Sequence, residues 1–169
     1  MSELGWEITM QLHVFAVGGT IDKIYYDALS NYTIGPPAAD EIFNRIKVNF
    51  TYQVSKLVQK DSLDMTAADQ SEILAAVQAS TSNHIVVTHG TDTMVEMGKV
   101  LKAVTGKTIV ITGAMQPAMC KHSDADFNLG GAVACCQTLP TGVYIYMNGR
   151  VYDVDQVKKN RAAGQFQDC

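Results

Sequence analysis

Thr20 in "VGGTID", Asp61 and Ser62 in "KDSLDMT", and Thr91 and Asp92 in "THGTDT" are hydroxyl and carboxylate side chains set close to small or turn-forming residues. Hydroxyls of this kind can act as nucleophiles. At neutral pH they need an activating neighbour, commonly His and sometimes Lys or Tyr. No evident Ser-His-Asp or Cys-His set accompanies them, so residue types and spacing lead to a Thr/Ser/Asp-rich site and no further.

Each stretch also has a plainer reading. Gly18-Gly19 suffices for a tight turn, which leaves Thr20 unexplained. A dinucleotide loop would need a third glycine opening a helix, and the Walker Lys-Ser/Thr is absent. After the apolar run Ile85 to Val87 a helix needs one capping side chain, and Thr93 with Glu96 three residues on reads as a capping box. His89, Thr91 and Asp92 are then surplus, His89 reading as a structural hydrogen-bonding residue rather than a base. Thr66 with Asp69 caps a further helix, leaving Asp61 and Ser62 over. Lys158 and Lys159 would ordinarily be a solvated pair, and Met94, Met97, Cys135 and Cys136 core residues.

These stretches need a scaffold, and hydrophobic periodicity supplies one. Strand-like runs at Leu12 to Val17, Val54 to Val58, His84 to Thr88, Thr108 to Thr112 and Val143 to Met147 alternate with helical patterns. The helices are expected from about Pro36 to Ile46, over Thr66 to Ala79, from about Thr93 to Val104, and from about Asn128 to Gln137. Strands without a polar face, alternating with helices, imply an α/β fold of three layers: a mostly parallel sheet with helices on both faces. In such sheets function gathers at the carboxyl ends of the strands, where the polar stretches fall. Asn148-Gly149 between two β-type runs predicts a hairpin. The stretch from Ile21 to Pro36 is long for a connection in such a unit, and reads as either disorder or a lid.

A chain of 169 residues fits one domain, 1–169, able to bury roughly 70% of its unfolded surface. Its net charge of −4, with no Lys/Arg cluster, argues against nucleic acid as a partner. The N-terminal stretch, with Glu3 and Glu7 and no basic region, reads as neither an export signal nor a membrane span. The four cysteines show neither CxxC spacing nor a disulfide framework, and read as reduced thiols in cytosol, with no metal site expected.

"VGGTID", "SNYTIG", "KDSLDMT", "VVTHGTDTMVE", "TGAMQP" and "DVDQVKKN", in this order from about Leu12 to Asn160, resemble the bacterial-type L-asparaginase family. The resemblance implies that Thr20 is the nucleophile attacking the substrate's side-chain amide, and that Tyr32, on a mobile loop, closes over the substrate and hydrogen-bonds that threonine. It implies a second, triad-like group of Thr91, Asp92 and Lys159. Ser62 would bind the substrate's α-carboxylate and Asp92 its α-ammonium, with Gly19 and Asp61 beside them. Gly90, Ala114 and the backbone around Thr91 fall where the family places its oxyanion donors. A lysine beside a carboxylate is favoured in its charged form unless desolvation wins, so Lys159 is assigned to orienting Thr91 and shuttling protons.

The implied activity is hydrolysis of L-asparagine to L-aspartate and ammonia through a threonine-linked acyl-enzyme, without a cofactor. The implied protein is a cytoplasmic homodimer or homotetramer with a small-molecule substrate and neither nucleic acid nor membrane as partner. Two departures matter. Leu63 stands where family members commonly have a glutamine, and the chain is expected to form a single domain without the family's usual second domain and its carboxylate. It resembles compact, single-domain members, with Asp61 or Asp168 of a neighbouring subunit as possible replacements. The alternatives are a non-catalytic amino-acid-binding or regulatory module, and an amidase for a different amide such as glutamine.

Overall fold

The computed structural model describes residues 10–169. The reading of the N-terminal stretch concerns chiefly residues outside that range. Along the chain run β1 (Gln11–Gly18), β2 (Lys23–Tyr26), β3 (Asn31–Ile34), α1 (Ala38–Ile46), β4 (Thr51–Lys60), α2 (Ala67–Ala79), β5 (His84–Thr88), α3 (Met94–Leu101), β6 (Thr108–Thr112), α4 (Ala125–Thr138), β7 (Gly142–Met147), β8 (Arg150–Asp153), β9 (Val157–Asn160) and β10 (Gln165–Asp168). The six-stranded sheet has the order β4-β1-β5-β6-β7-β8. Its strands pair in parallel except β8, which returns antiparallel along β7.

Alternation along each strand divides the core between the two faces of the sheet. Phe15, Val17, Ile85, Val87, Ile109 and Ile111 pack with Ile73 and Val77 of α2 and with Met94, Met97 and Leu101 of α3. Leu12, Val14, Val86 and Val110 pack with Ala39, Ile42 and Phe43 of α1 and with Leu129, Ala132 and Val133 of α4. The three layers therefore follow from the period of two, because a strand covered on both faces must be apolar at every position.

The predicted strands 84–88 and 108–112 carry those bounds. Thr66 and Asp69 form a reciprocal capping box, and Lys60, at 2.8 Å from Asp69, is the main cause holding that carboxyl down at about 2. Asn148 and Gly149, with φ 55° and 79°, join β7 to β8 in a two-residue turn.

Two expectations are corrected. Thr93 does begin α3, but its side chain makes no capping bond. Its hydroxyl donates instead to Ser62 O at 3.1 Å, tying the end of β5 to the end of β4, and Glu96 is exposed. The stretch from Ile21 to Pro36 is not disordered: β2 and β3 form an antiparallel hairpin in which Tyr25 faces Tyr32. Four further features were not expected, the small β9/β10 hairpin and the three short helical turns at Thr20–Asp22, Asp27–Leu29 and Ser62–Asp64.

Candidate functional site

The carboxyl ends of β1, β4 and β5 meet through backbones too close to admit side chains. A Cβ on Gly19 would lie 2.5 Å from both N and Cα of Gly90, and a Cβ on Gly90 would lie 2.5 Å from Oγ of Ser62. Gly18 sits as tightly against Lys60 O. The end of β6 joins the same cluster, because a Cβ on Gly113 would lie 2.4 Å from His89 O. Glycine is required at these crossings by space, and at Gly18 and Gly19 also by φ of 92° and 85°. The consequence is that Thr20 and Thr91 each follow directly on one of two touching glycines.

Thr20 opens the turn after β1 and lines an open cavity of about 780 Å³ together with Tyr32, Lys23, Asn31, Asp61 and Gln116. Tyr32 stands 47% exposed, its ring edge-on to Tyr25 at 5.6 Å. Among the described residues no hydrogen bond joins it to Thr20, so the expected bond is not formed with the hairpin in this position. Asp61 accepts from Lys23 Nζ at 2.8 Å, and that bond is the main cause of its lowered pKa.

The second cluster is built by β9. Val157 is buried and Lys158 exposed, so Lys159, two residues after Val157, is turned inward; its side chain is only 14% exposed. Its Nζ donates to Thr91 Oγ1 at 2.7 Å and to Asp92 Oδ1 at 2.9 Å. The solvated-pair reading therefore holds for Lys158 alone. Arg161 Nε also donates to Asp92 Oδ1, at 3.2 Å. Lys159, with Arg161 contributing less, holds the Asp92 carboxyl below the usual carboxylate range. Because Thr91 Oγ1 accepts from Lys159, its own O–H is left to point elsewhere.

Ser62 and Ala114 are buried close to these turns, and Leu63 is exposed. His89 is fully buried; its Nδ1–H donates to Gly90 O at 2.8 Å, which fixes the neutral tautomer and leaves Nε2 without a partner among the described residues. Burial pushes its imidazole pKa down. It braces the turn, as expected of a structural residue. Asp168, distant in role, pairs with Arg150.

Asp22 was not expected. It is buried two residues after Thr20, accepts from Ala38 N at 2.8 Å, and so caps α1, whose own N-cap is Pro37. Its backbone carbonyl accepts from Gly35 N at 2.7 Å, closing the root of the β2/β3 hairpin. No spacing rule reaches a cap donated from sixteen residues upstream. Burial pushes this carboxyl up to about 6, against the pull of the Ala38 and Gly18 amides. A carboxyl raised above its unfolded value contributes stability that is complete below about pH 4 and lost as pH rises through about 6. Other carboxylates here are lowered and act in the opposite sense, so the signature is a difference. The stability of Asp22→Asn relative to the parent, from urea titrations, should rise by on the order of 2–3 kcal/mol between pH 4 and pH 7. A difference independent of pH would contradict the burial account.

The fold and the gathered groups define a class: an α/β protein with hydroxyls, a carboxylate and a shielded lysine at the carboxyl edge of its sheet. The family model "Asparaginase, N-terminal" matches residues 11–166, and the chain belongs to the asparaginase family. It is 32% identical over 152 residues to Probable L-asparaginase 4 of Schizosaccharomyces pombe, covering 82% of this chain and 43% of that protein. It is 31% identical over 159 residues to L-asparaginase 2 of Escherichia coli, covering 86% of this chain and 45% of that protein. The thermostable L-asparaginase from Thermococcus kodakarensis superposes with a TM-score of 0.81 at 25% identity, over 94% of this chain and 51% of that one. The chain thus spans about half the length of the relatives it matches. Among the described residues no helix is long and apolar enough to cross a membrane.

Proposed function

We propose that this domain hydrolyses L-asparagine to L-aspartate and ammonia through an acyl-enzyme on Thr20. The observation that carries the reading is Lys159, drawn out of solvent to hydrogen-bond both Thr91 and Asp92 beside the Thr20 turn. Pairing with Asp92 serves folding, but the shortest bond of this lysine, 2.7 Å, goes to the Thr91 hydroxyl at the carboxyl edge of the sheet, the kind of neighbour that a reactive hydroxyl requires.

In this reading Thr20 Oγ attacks the amide carbon while its proton passes into the Thr91–Lys159 group. Backbone amides around Gly90, Thr91 and Ala114 hold the developing oxyanion, a contribution of about 10²–10³ per donor. The C–N bond breaks as a proton reaches the leaving nitrogen, giving ammonia and an aspartyl ester on Thr20. Water then attacks the ester carbon, and the alkoxide of Thr20 recovers a proton. Lys159 orients Thr91, whose free O–H faces the reacting groups. Ser62 receives the α-carboxylate and Asp92 the α-ammonium, with Gly19 and Asp61 at their side. No metal or other cofactor enters these steps.

The β2/β3 hairpin serves as the lid, with Tyr32 reaching Thr20 only when it closes. Tyr32→Phe should lower turnover roughly tenfold or more, the worth of one hydrogen bond to a charged group. Its unfolding midpoint should stay unchanged, because the side chain is half exposed; equal turnover would remove the lid role. The same reading takes residues 1–169 as one catalytic unit, cytoplasmic, acting as a homodimer or homotetramer.

The deciding experiment is ammonia release from L-asparagine and L-glutamine by the purified protein. Release from asparagine supports the proposal, and release from glutamine alone makes it an amidase for a different amide. Calorimetric binding of asparagine without ammonia from either substrate would make it an amino-acid-binding module.

A further inference from the structure

The loop after β6 carries Ala114 to the site and then sends Gln116, Pro117 and Cys120 along the wall of the cavity that Thr20 lines. A loop of this length needs something to hold its backbone. Asp124 and Asn128 do so, four residues apart and therefore on one face of the first turn of α4. The Asp124 carboxylate caps no amide of its own helix. It accepts from Met115 N at 3.0 Å and from Gln116 N at 3.1 Å. Asn128 Nδ2 donates to Asp124 Oδ2 at 2.8 Å and to Gly113 O at 3.0 Å. Four consecutive loop residues, Gly113 to Gln116, are thus bracketed by two side chains, with Ser123 Oγ donating to Gln116 O at 2.9 Å as a further tie.

The arrangement carries a cost that folding alone does not require. Asn128 is 1% exposed and its Oδ1 has no hydrogen-bond partner among the described residues, the kind of buried orphan that native structures rarely tolerate. Asp124 gives up the capping bond that its place at the start of α4 offers. Both sacrifices fall on the side chains that grip this loop. The loop also abuts the turn of β5, where Gly113 packs on His89 O and His89 N donates to Thr112 O at 2.9 Å.

We infer that Asp124 and Asn128 are positioning residues that preset the Gly113–Gln116 backbone at the reaction centre. The inference rests on the amidohydrolase reading of that site. Neither side chain touches substrate; they fix where Ala114 stands relative to the Thr91 turn, and a misplacement of about 1 Å in such a group costs about 10²-fold in rate.

The test is Asp124→Asn, with Asn128→Ser as a second variant should the first not fold. Each should lower kcat by about 10²-fold with KM within about threefold, because Ser62 and Asp92 are untouched. Amide exchange at Met115 and Gln116 should quicken roughly tenfold or more, while exchange in β5 and β6 stays unchanged. An unchanged kcat, or kcat and KM moving together with exchange quickened across the sheet, would overturn the inference. Ammonia release by the wild type with full activity in both variants removes this inference alone. An inactive wild type removes the amidohydrolase reading and this inference with it.

Discussion

Thr20→Ala is expected to leave a folded protein whose turnover of asparagine is lower by on the order of 10⁴-fold or more, the scale on which loss of a nucleophile acts. The side chain belongs to no part of the core. It stands in a short turn after β1, partly exposed, against an open cavity. Stability should therefore change by less than about 1 kcal/mol, and the loss should appear in kcat at equal folded concentration. Lys159→Met is the companion. Methionine keeps the length and apolar stem while removing the cation from Thr91 and Asp92, and turnover should fall by roughly 10²–10⁴-fold, the range of a proton-transfer contribution. Asp92 would keep Arg161 at 3.2 Å, so it is not abandoned unpaired. With its first cause of depression gone, the Asp92 carboxyl should titrate closer to the ordinary range. Stability from a lowered carboxyl is present above about pH 4 and lost as pH falls through its folded value, so the variant, already without that contribution, should lose less stability on acidification than the parent. Full activity in Thr20→Ala would discard the nucleophile assignment while leaving family membership intact.

How far such assignments could be read from sequence depends on the range of the physics involved. Strand runs such as His84–Thr88 are legible because both faces are buried and every residue says so. The Thr66–Asp69 box is legible because cap and partner lie three residues apart. Thr93 carries the same local signature, yet its hydroxyl goes to Ser62 O, thirty-one residues away, and no spacing encodes that choice. Lys158 and Lys159 are identical in kind and adjacent. Only the pleat of β9 turns one to solvent and the other to Thr91. Asp22, Asp124 and Asn128 escaped for the same reason, since each spends its polar atoms on a backbone amide or carbonyl brought near by the fold. The hairpin from Lys23 to Ile34 failed differently: four-residue strands with little apolar alternation leave periodicity nothing to register.

Gly19→Ala should cost more stability than any other single methyl at the site, on the order of 3–5 kcal/mol, and should inactivate the fraction that still folds. Two terms add. With φ 85° and ψ −173°, Gly19 occupies a region essentially closed to residues with a side chain, a penalty of about 1–3 kcal/mol. The added Cβ would also stand 2.5 Å from N and Cα of Gly90 and 3.0 Å from the carbonyl carbon of His89. Every one of these is backbone, so no rotamer change gives relief, and β1 and β5 must part at their carboxyl ends. Gly90 is itself crowded, because Ser62 fills the place where a Gly90 side chain would stand. Parting would separate Thr20 from the Thr91–Lys159 group by roughly an ångström, enough for about 10²-fold in rate. Gly130→Ala supplies the contrast: it lies within α4 with nothing near its Cβ, and should stabilise by about 0.5–1 kcal/mol. Urea midpoints and kcat of the two variants, measured together, separate crossing-point strain from the generic effect of adding a methyl to glycine. Equal midpoints would mean that the β1 and β5 ends are not held as tightly as their contact implies.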